Sequence, residues 1–320
     1  MFRFIAPLVA SLSLLAAPLT AEDTPIPQKR MVLTVGQDVM GRDLTRLFDT
    51  TFDACRAACE AEEACTAFTF NTKANSCFPK TDVTGTTPFE GAQSGRIIVT
   101  PEGDLARAAI RAEDLVYIGE RSLNAARDLA YQIGWIHPAG QYSATQMLSA
   151  ARDRRNDGNL LHAMRWTGGA VAETDAADQW VDYAELLMSV APDAGQNRSR
   201  YTTRALSAAI NGYLRADTDP ARVNALMTLA RSLDMNRRGQ DMIPALRLAE
   251  RLQPRDDVTA ALDDAIAKFG FRIREHQVQS DLADPRICAE FTEPLAKTGV
   301  TYADYVQLPD QSMAVEAEGD

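Results

Sequence analysis

The sequence predicts a multidomain chain in three parts: a small disulfide-bonded α+β module, an all-α helical-repeat-like region, and the start of a β-sandwich. Three observations predict this order. Four of the five cysteines lie between Cys55 and Cys77. From Asp104 to Phe269 apolar residues recur with a helical period, and after Gly270 they alternate as in strands. At 320 residues the chain has room for two or three domains of ordinary size.

The first residues, "MFRFIAPLVASLSLLAAPLTAEDTPIP", join a basic Arg3 to a short apolar run from Ile5 to Ala17. A small residue then precedes a cut between Ala21 and Glu22. This is the pattern of a secretory signal peptide, residues 1–21. The run is short for a membrane span, and no other segment is apolar enough to cross a bilayer, so no stable membrane insertion is expected after cleavage. Residues 22–32 read as a linker. The formal net charge of −11 argues against broad binding to nucleic acid or anionic membrane, both of which need a basic face.

Export places the chain in an oxidising compartment, where clustered cysteines read as disulfides. The competing reading is a metal site. Zinc clusters favour a two-residue gap within each ligand pair, often with histidine. Here the gaps from Cys55 through Cys59 and Cys65 to Cys77 are three, five and eleven residues, and the nearest histidine is His137. The segment "TTFDACRAACEAEEAC" reads as a short helix capped by Asp53, with Cys55 and Cys59 on one face. "CTAFTFNTKANSCFPK" reads as two strands around the turn "NTKANS", and "GAQSGRIIV" as a further strand. A module this small has little core, and disulfides restrict its unfolded chain.

Residues 33–100 resemble the PAN/Apple module, through "GRDL", "CRAAC", "CTAFTFN" and "CFPK". The resemblance implies bridges Cys59–Cys65 and Cys55–Cys77; the third bridge of some Apple domains is absent. It also implies a protein- or carbohydrate-binding unit without chemistry of its own. Phe68, Phe70 and Phe78 are candidate ligand contacts, with packing in a tiny core as the competing role for each.

Residues 101–270 read as paired helices. Small alanines stand where helices cross, a larger residue follows a turn later, and proline closes the pair. "WVDYAELL" with "ALSAAINGYLRADTDP" resembles a degenerate tetratricopeptide-type repeat. Trp180, Tyr183 and Ala184 stand near first-helix positions, and Ala209, Tyr213, Ala216 and Pro220 near second-helix positions. "ALRLAERLQP" repeats the second half, with Ala245, Ala249 and Pro254. Such arrays are scaffolds or peptide-binding surfaces; a plain spacer between two working domains is the simpler role.

Residues 271–320 read as an incomplete β domain. "FRIREHQVQSD", "PRICAEFTEPL", "YADYVQLP" and "SMAVEAEGD" are its strand candidates. A full sandwich needs about a hundred residues. Cys288, unpaired in this chain, is expected to be buried in a strand and bridged to a cysteine beyond Asp320; an interchain bond or an inert buried thiol are the alternatives. The stretch from Ala261 to Leu308, above all "CAEFTEPL" and "YADYVQL", resembles the start of the macroglobulin-like domains of bacterial alpha-2-macroglobulin family proteins. That resemblance implies the N-terminal region of an endopeptidase inhibitor, with proteases as partners. The family's "CxEQ" thioester does not occur here, so no thioester or catalytic residue carries over.

No other chemistry stands out. His137, His162 and His276 are far apart and lack metal spacing. There is no phosphate loop, and the acidic runs read as solvated helix faces. No metal, cofactor or enzyme activity is expected. The sequence therefore predicts a non-enzymatic, periplasmic or extracellular protein. The alternative to an inhibitor's N-terminal region is a free-standing envelope binding or adhesion protein acting through its PAN-like module.

Overall fold

A computed structural model describes residues 24–281, 285–296, 298–306 and 314–317. The signal peptide expected at 1–21 lies outside the described residues. The first unit is a four-stranded antiparallel sheet of order β1-β4-β2-β3, built from β1 (Lys29–Met40), β2 (Ala67–Asn71), β3 (Ser76–Lys80) and β4 (Gly85–Val99). Helix α1 (Phe52–Ala61) packs on it.

Strand β1 begins inside the segment read as a linker, and Thr24 and Ile26 before it are already buried. The reason is double coverage. Met31 joins the cysteine core on one face, while Val32 joins the helical core on the other. A strand buried on both faces lacks the apolar–polar alternation that marks a strand in sequence.

Nine helices follow among the described residues: α2 (Glu102–Glu113), α3 (Glu120–Ile136), α4 (Ala144–Asn156), α5 (Leu160–Thr174), α6 (Ala177–Val190), α7 (Arg198–Arg215), α8 (Asp219–Met235), α9 (Gly239–Leu252) and α10 (Asp256–Phe269). Their starts are marked by side-chain caps at Ser143, Asn159 and Thr218. Trp180, Tyr183, Tyr213, Leu187, Ile210 and Leu226 are fully buried. Each such side chain contributes roughly 1.5–3 kcal/mol. Gly212 lets α7 approach α6, because a Cβ there would stand 2.8 Å from Val181 Cγ2. Ala184, Ala209, Ala216, Ala245 and Ala249 are likewise fully buried. Pro220 sits in the first turn of α8 rather than closing α7, where a missing N–H costs nothing; Pro254 does follow α9.

The last part departs from the sandwich start. Among the described residues it is a two-stranded antiparallel ribbon, β5 (Ile273–Gln279) and β6 (Arg286–Phe291). Tyr302–Tyr305, read as part of a strand, is a turn of 3₁₀ helix. Ala314–Ala317 forms no strand, and the rest of "SMAVEAEGD" lies outside the described residues. Cys288, expected to be buried, is exposed on β6. A ribbon with no covering layer leaves both its faces in solvent, whatever the residue type.

Candidate functional site

The first unit is organised by its cysteines. Thr51, rather than Asp53, caps α1, its side chain accepting from the Ala54 N–H at 3.2 Å. Cys55 and Cys59, one turn apart, then point the same way into the sheet. Cys55 is joined to Cys77 on β3, and Cys59 to Cys65 at the entrance to β2. All four are buried.

Phe68 and Phe70 lie inside this core. Phe68 is 0% and Phe70 6% exposed, and Phe52 packs its ring at 5.7 and 6.2 Å from theirs. Neither can touch a ligand while the module is folded, which corrects their reading as contacts. The alternation of β2 does put both on one face, but α1 and the disulfides cover it. Phe78 is half-buried on β3 and keeps a free side.

Most of the sheet perimeter is closed. Residues 43–50 run along the outer edge of β3, where Leu44 N–H donates to Pro79 O at 2.8 Å and Leu47 exchanges bonds with Cys77 at 2.8 and 2.9 Å. Lys80 ties this segment through Asp43 at 2.8 Å. The hydrogen bond from Lys80, set against some burial, holds the Asp43 carboxyl below its usual range.

The β1 edge is closed by helices. A Cβ on Gly134 of α3 would overlap the Met31 carbonyl, so only glycine permits this approach. From β1, Arg30 reaches the carbonyls of Ala172 and Glu173 at the end of α5. Its guanidinium also lies 3.5 Å from Asp175, which pairs with Arg215 of α7 at 2.6 Å. The Arg215 Nε approaches off its N–H axis, so this is an ion pair rather than an aligned hydrogen bond. Trp180 Nε1 donates to the same carboxylate at 2.8 Å. Burial lowers the Arg30 pKa; Arg215 adds to that effect and Asp175 opposes it.

Two surfaces remain open. The first is the far end of the β1–β4 ribbon. A register shift at Gly36, with φ +77°, and Gly91 at φ +94° fold this end over β2. The bend is held by a buried polar chain. Val39 N–H donates to Thr69 Oγ1 at 3.0 Å, Thr69 meets Ser94 Oγ at 2.8 Å, and Ser94 donates to Gln37 O at 2.7 Å. Val35, Met40 and Phe89 face solvent on this end, and Phe48 does so in the segment beside β3. Sequence reasoning missed Phe48, which stands in an irregular segment where periodicity says nothing about direction, and Phe89, which stands on β4 in the stretch between Pro88 and Gln93 where the register with β1 breaks.

The second is a recess of about 170 Å³ at the seam with α3, lined by Lys29, Arg30, Met31, Glu60, Ile97 and Tyr131. Tyr131 donates to Glu60 Oε1 at 2.5 Å, and Arg56 bonds Glu60 at 3.2 Å while stacking on Trp135 at 4.6 Å. Burial, reinforced by Glu60, pushes the Tyr131 hydroxyl up to about 12.

The histidines are dispersed. His137 is buried at the end of α3, 2.8 Å from Tyr183 Oη. Burial first, then Arg204 and Arg165, push it down to about 3. His162 bonds Asn159 at the start of α5, and His276 is exposed on β5. Among the described residues no group of three potential metal ligands occurs, and no helix is long and apolar enough to cross a membrane.

Residues 30–102 match the family model of the PAN domain. The match opens within the segment read as a linker, where β1 also begins. No curated protein and no solved structure matches the chain. Residues 30–102 are thus a disulfide-bonded PAN domain, typically a protein- or carbohydrate-binding module, followed by a helix-rich region.

Proposed function

We propose that this chain is a non-enzymatic, exported binding protein. Its PAN domain takes a protein or carbohydrate ligand, and its helical array fixes the direction in which that ligand is presented. The supporting observation is the way the module is mounted. Both sheet faces and most of its perimeter are covered, while the bent ribbon and the loop beside β3 leave Met40, Phe89 and Phe48 in solvent. A contiguous exposed apolar surface marks an interaction site, and these side chains are the candidates for one on this rigid, disulfide-bonded unit.

The test is binding of the mature chain to an array of glycans and to candidate protein ligands, with Phe48→Ser and Phe89→Ser in parallel. Both side chains are exposed, so the fold should be unchanged and affinity should fall by about tenfold or more. Unchanged binding would place the ligand elsewhere.

A finer reading makes the chain the N-terminal region of an alpha-2-macroglobulin-like endopeptidase inhibitor in the periplasm. The β5–β6 ribbon favours it: Phe271, Ile273, Val278 and Ile287 are exposed there, as strands awaiting a second layer would be. The native polypeptide, detected in an envelope extract with antiserum to residues 33–270, should then be far larger than 35.0 kDa. A band at the mature size would leave a free-standing envelope adhesion protein.

A further inference from the structure

We propose that the recess between the PAN domain and α3 is a subsite for one acidic sugar ring, a hexuronate unit of a glycan. The inference rests on the PAN domain being the ligand-binding part of the chain.

The walls come from three rigid elements. Met31 and Ile97 are direct partners in the β1–β4 register; Met31 is 2% exposed and only backs the recess, so half-buried Ile97 is its apolar floor. Lys29 stands two residues before Met31 and shares its face of the strand. Tyr131 of α3 forms one wall and Glu60 of α1 part of the rim. The close approach at Gly134 fixes α3 against β1, so the recess needs no ordering when a ligand enters.

Its size admits one ring. About 170 Å³ is the room of five or six waters, at ~30 Å³ each. A single pyranose matches that space, and the further units of a glycan would run out of the open recess into solvent.

The chemistry selects the ring. A sugar has C–H faces that suit Ile97 and the Tyr131 ring, and hydroxyls that need fixed partners. The Glu60 carboxylate is held by Arg56 and Tyr131. A carboxylate has about four acceptor positions, so room remains for a sugar hydroxyl. Arg56 neutralises Glu60, whereas Lys29 forms no salt bridge with any described residue. That leaves one ammonium at the rim, which a ligand carboxylate answers. An apolar peptide side chain would use the floor and leave both Glu60 and Lys29 unanswered.

The mature full chain would be titrated with D-glucuronate and D-galacturonate, and with D-glucose and D-galactose, by saturation-transfer NMR at low salt. A uronate should bind in the millimolar range and about fivefold more tightly than its neutral counterpart, the weight of one partly exposed ion pair. Lys29→Ala should erase that preference without touching the fold. Ile97→Trp, which fills the recess, and Tyr131→Ala should each abolish the signal.

Four results would overturn the proposal: no transfer from any sugar at about 50 mM, equal affinity for charged and neutral sugars, binding that survives both recess variants, or N-acetylglutamate amide binding as tightly as a uronate. If sugars fail here while capture dependent on Phe48 and Phe89 persists, only the subsite is wrong and the PAN-binding reading stands. If that capture also fails, the broader reading falls with it.

Discussion

Replacing Asp175 with Asn isolates the charge that fastens the PAN domain to the helical array. The substitution keeps shape, and asparagine tolerates the left-handed backbone at this position, φ +57°, as well as aspartate does. Trp180 can still donate to the side-chain oxygen. What disappears is the only carboxylate that pairs with both Arg30 and Arg215 among the described residues, whose side chains are 7% and 6% exposed. Removing one partner of a buried pair costs roughly 3–5 kcal/mol. Arg30 keeps the Ala172 and Glu173 carbonyls and Arg215 keeps Asn211, so the lower end applies, about 3 kcal/mol. For a unit of this size that is a fall in melting temperature of about 6–12 °C. Thermal unfolding followed by circular dichroism would read it. High salt should not shrink the loss, because buried charges are poorly screened. Adding Arg215→Met should recover about half of it by removing one stranded cation. A loss under about 1 kcal/mol would place the cluster in the class of solvent-screened surface pairs and refute the reasoning.

Three further outcomes follow from the same structure. Gly134→Ala should destabilise by about 2 kcal/mol or more, since the new methyl meets backbone that cannot rotate away; at an ordinary helix position the same change gains about 1 kcal/mol, so the sign seen in denaturant titration decides. His137 stays neutral in the folded chain down to about pH 3, while the unfolded chain takes up a proton near pH 6.5. Its contribution is therefore intact above that value and declines as pH falls towards 3, by about 2 kcal/mol between pH 6.5 and 4.5; His137→Gln should flatten that part of the stability–pH curve, and an unaltered slope would mean the ring is hydrated. Removing Cys55–Cys77, with 22 residues of separation, should cost more than removing Cys59–Cys65, with 6, about 3 against about 2 kcal/mol; the reverse order in paired double-alanine variants would show that loop entropy is not the controlling factor.

Local chemistry was legible in the sequence. Cysteine spacing located the small module and the period of apolar residues marked the helices, whereas the cap of α1 fell to Thr51 rather than the expected Asp53. The surface proposed for binding was not legible. Phe68 and Phe70 looked like contacts because alternation reports that two side chains share a face, not which face a helix will cover. Phe48 carried no periodic signal, since its backbone follows no repeat, and Phe89 lies where the β1–β4 register breaks, so alternation counted from either end does not fix its face. The recess is assembled from Lys29, Glu60, Ile97 and Tyr131, whose neighbourhood depends on α3 crossing the edge of β1.

By itself, then, the sequence determined the small disulfide-bonded module and the helices that follow it, because these depend on neighbours within a turn or a hairpin; it did not determine the strand that opens the module or the elements after Gly270. Tertiary structure alone decided that the PAN domain is docked rather than tethered, that Arg30 and Arg215 share one carboxylate, that Cys288 is exposed, and which aromatics face solvent. Docking and the shared carboxylate turn on residues dozens to more than a hundred positions apart, whose contact exists only once the sheet has packed against the helices and water has been excluded between them; Cys288 is exposed because no layer covers the β5–β6 ribbon among the described residues.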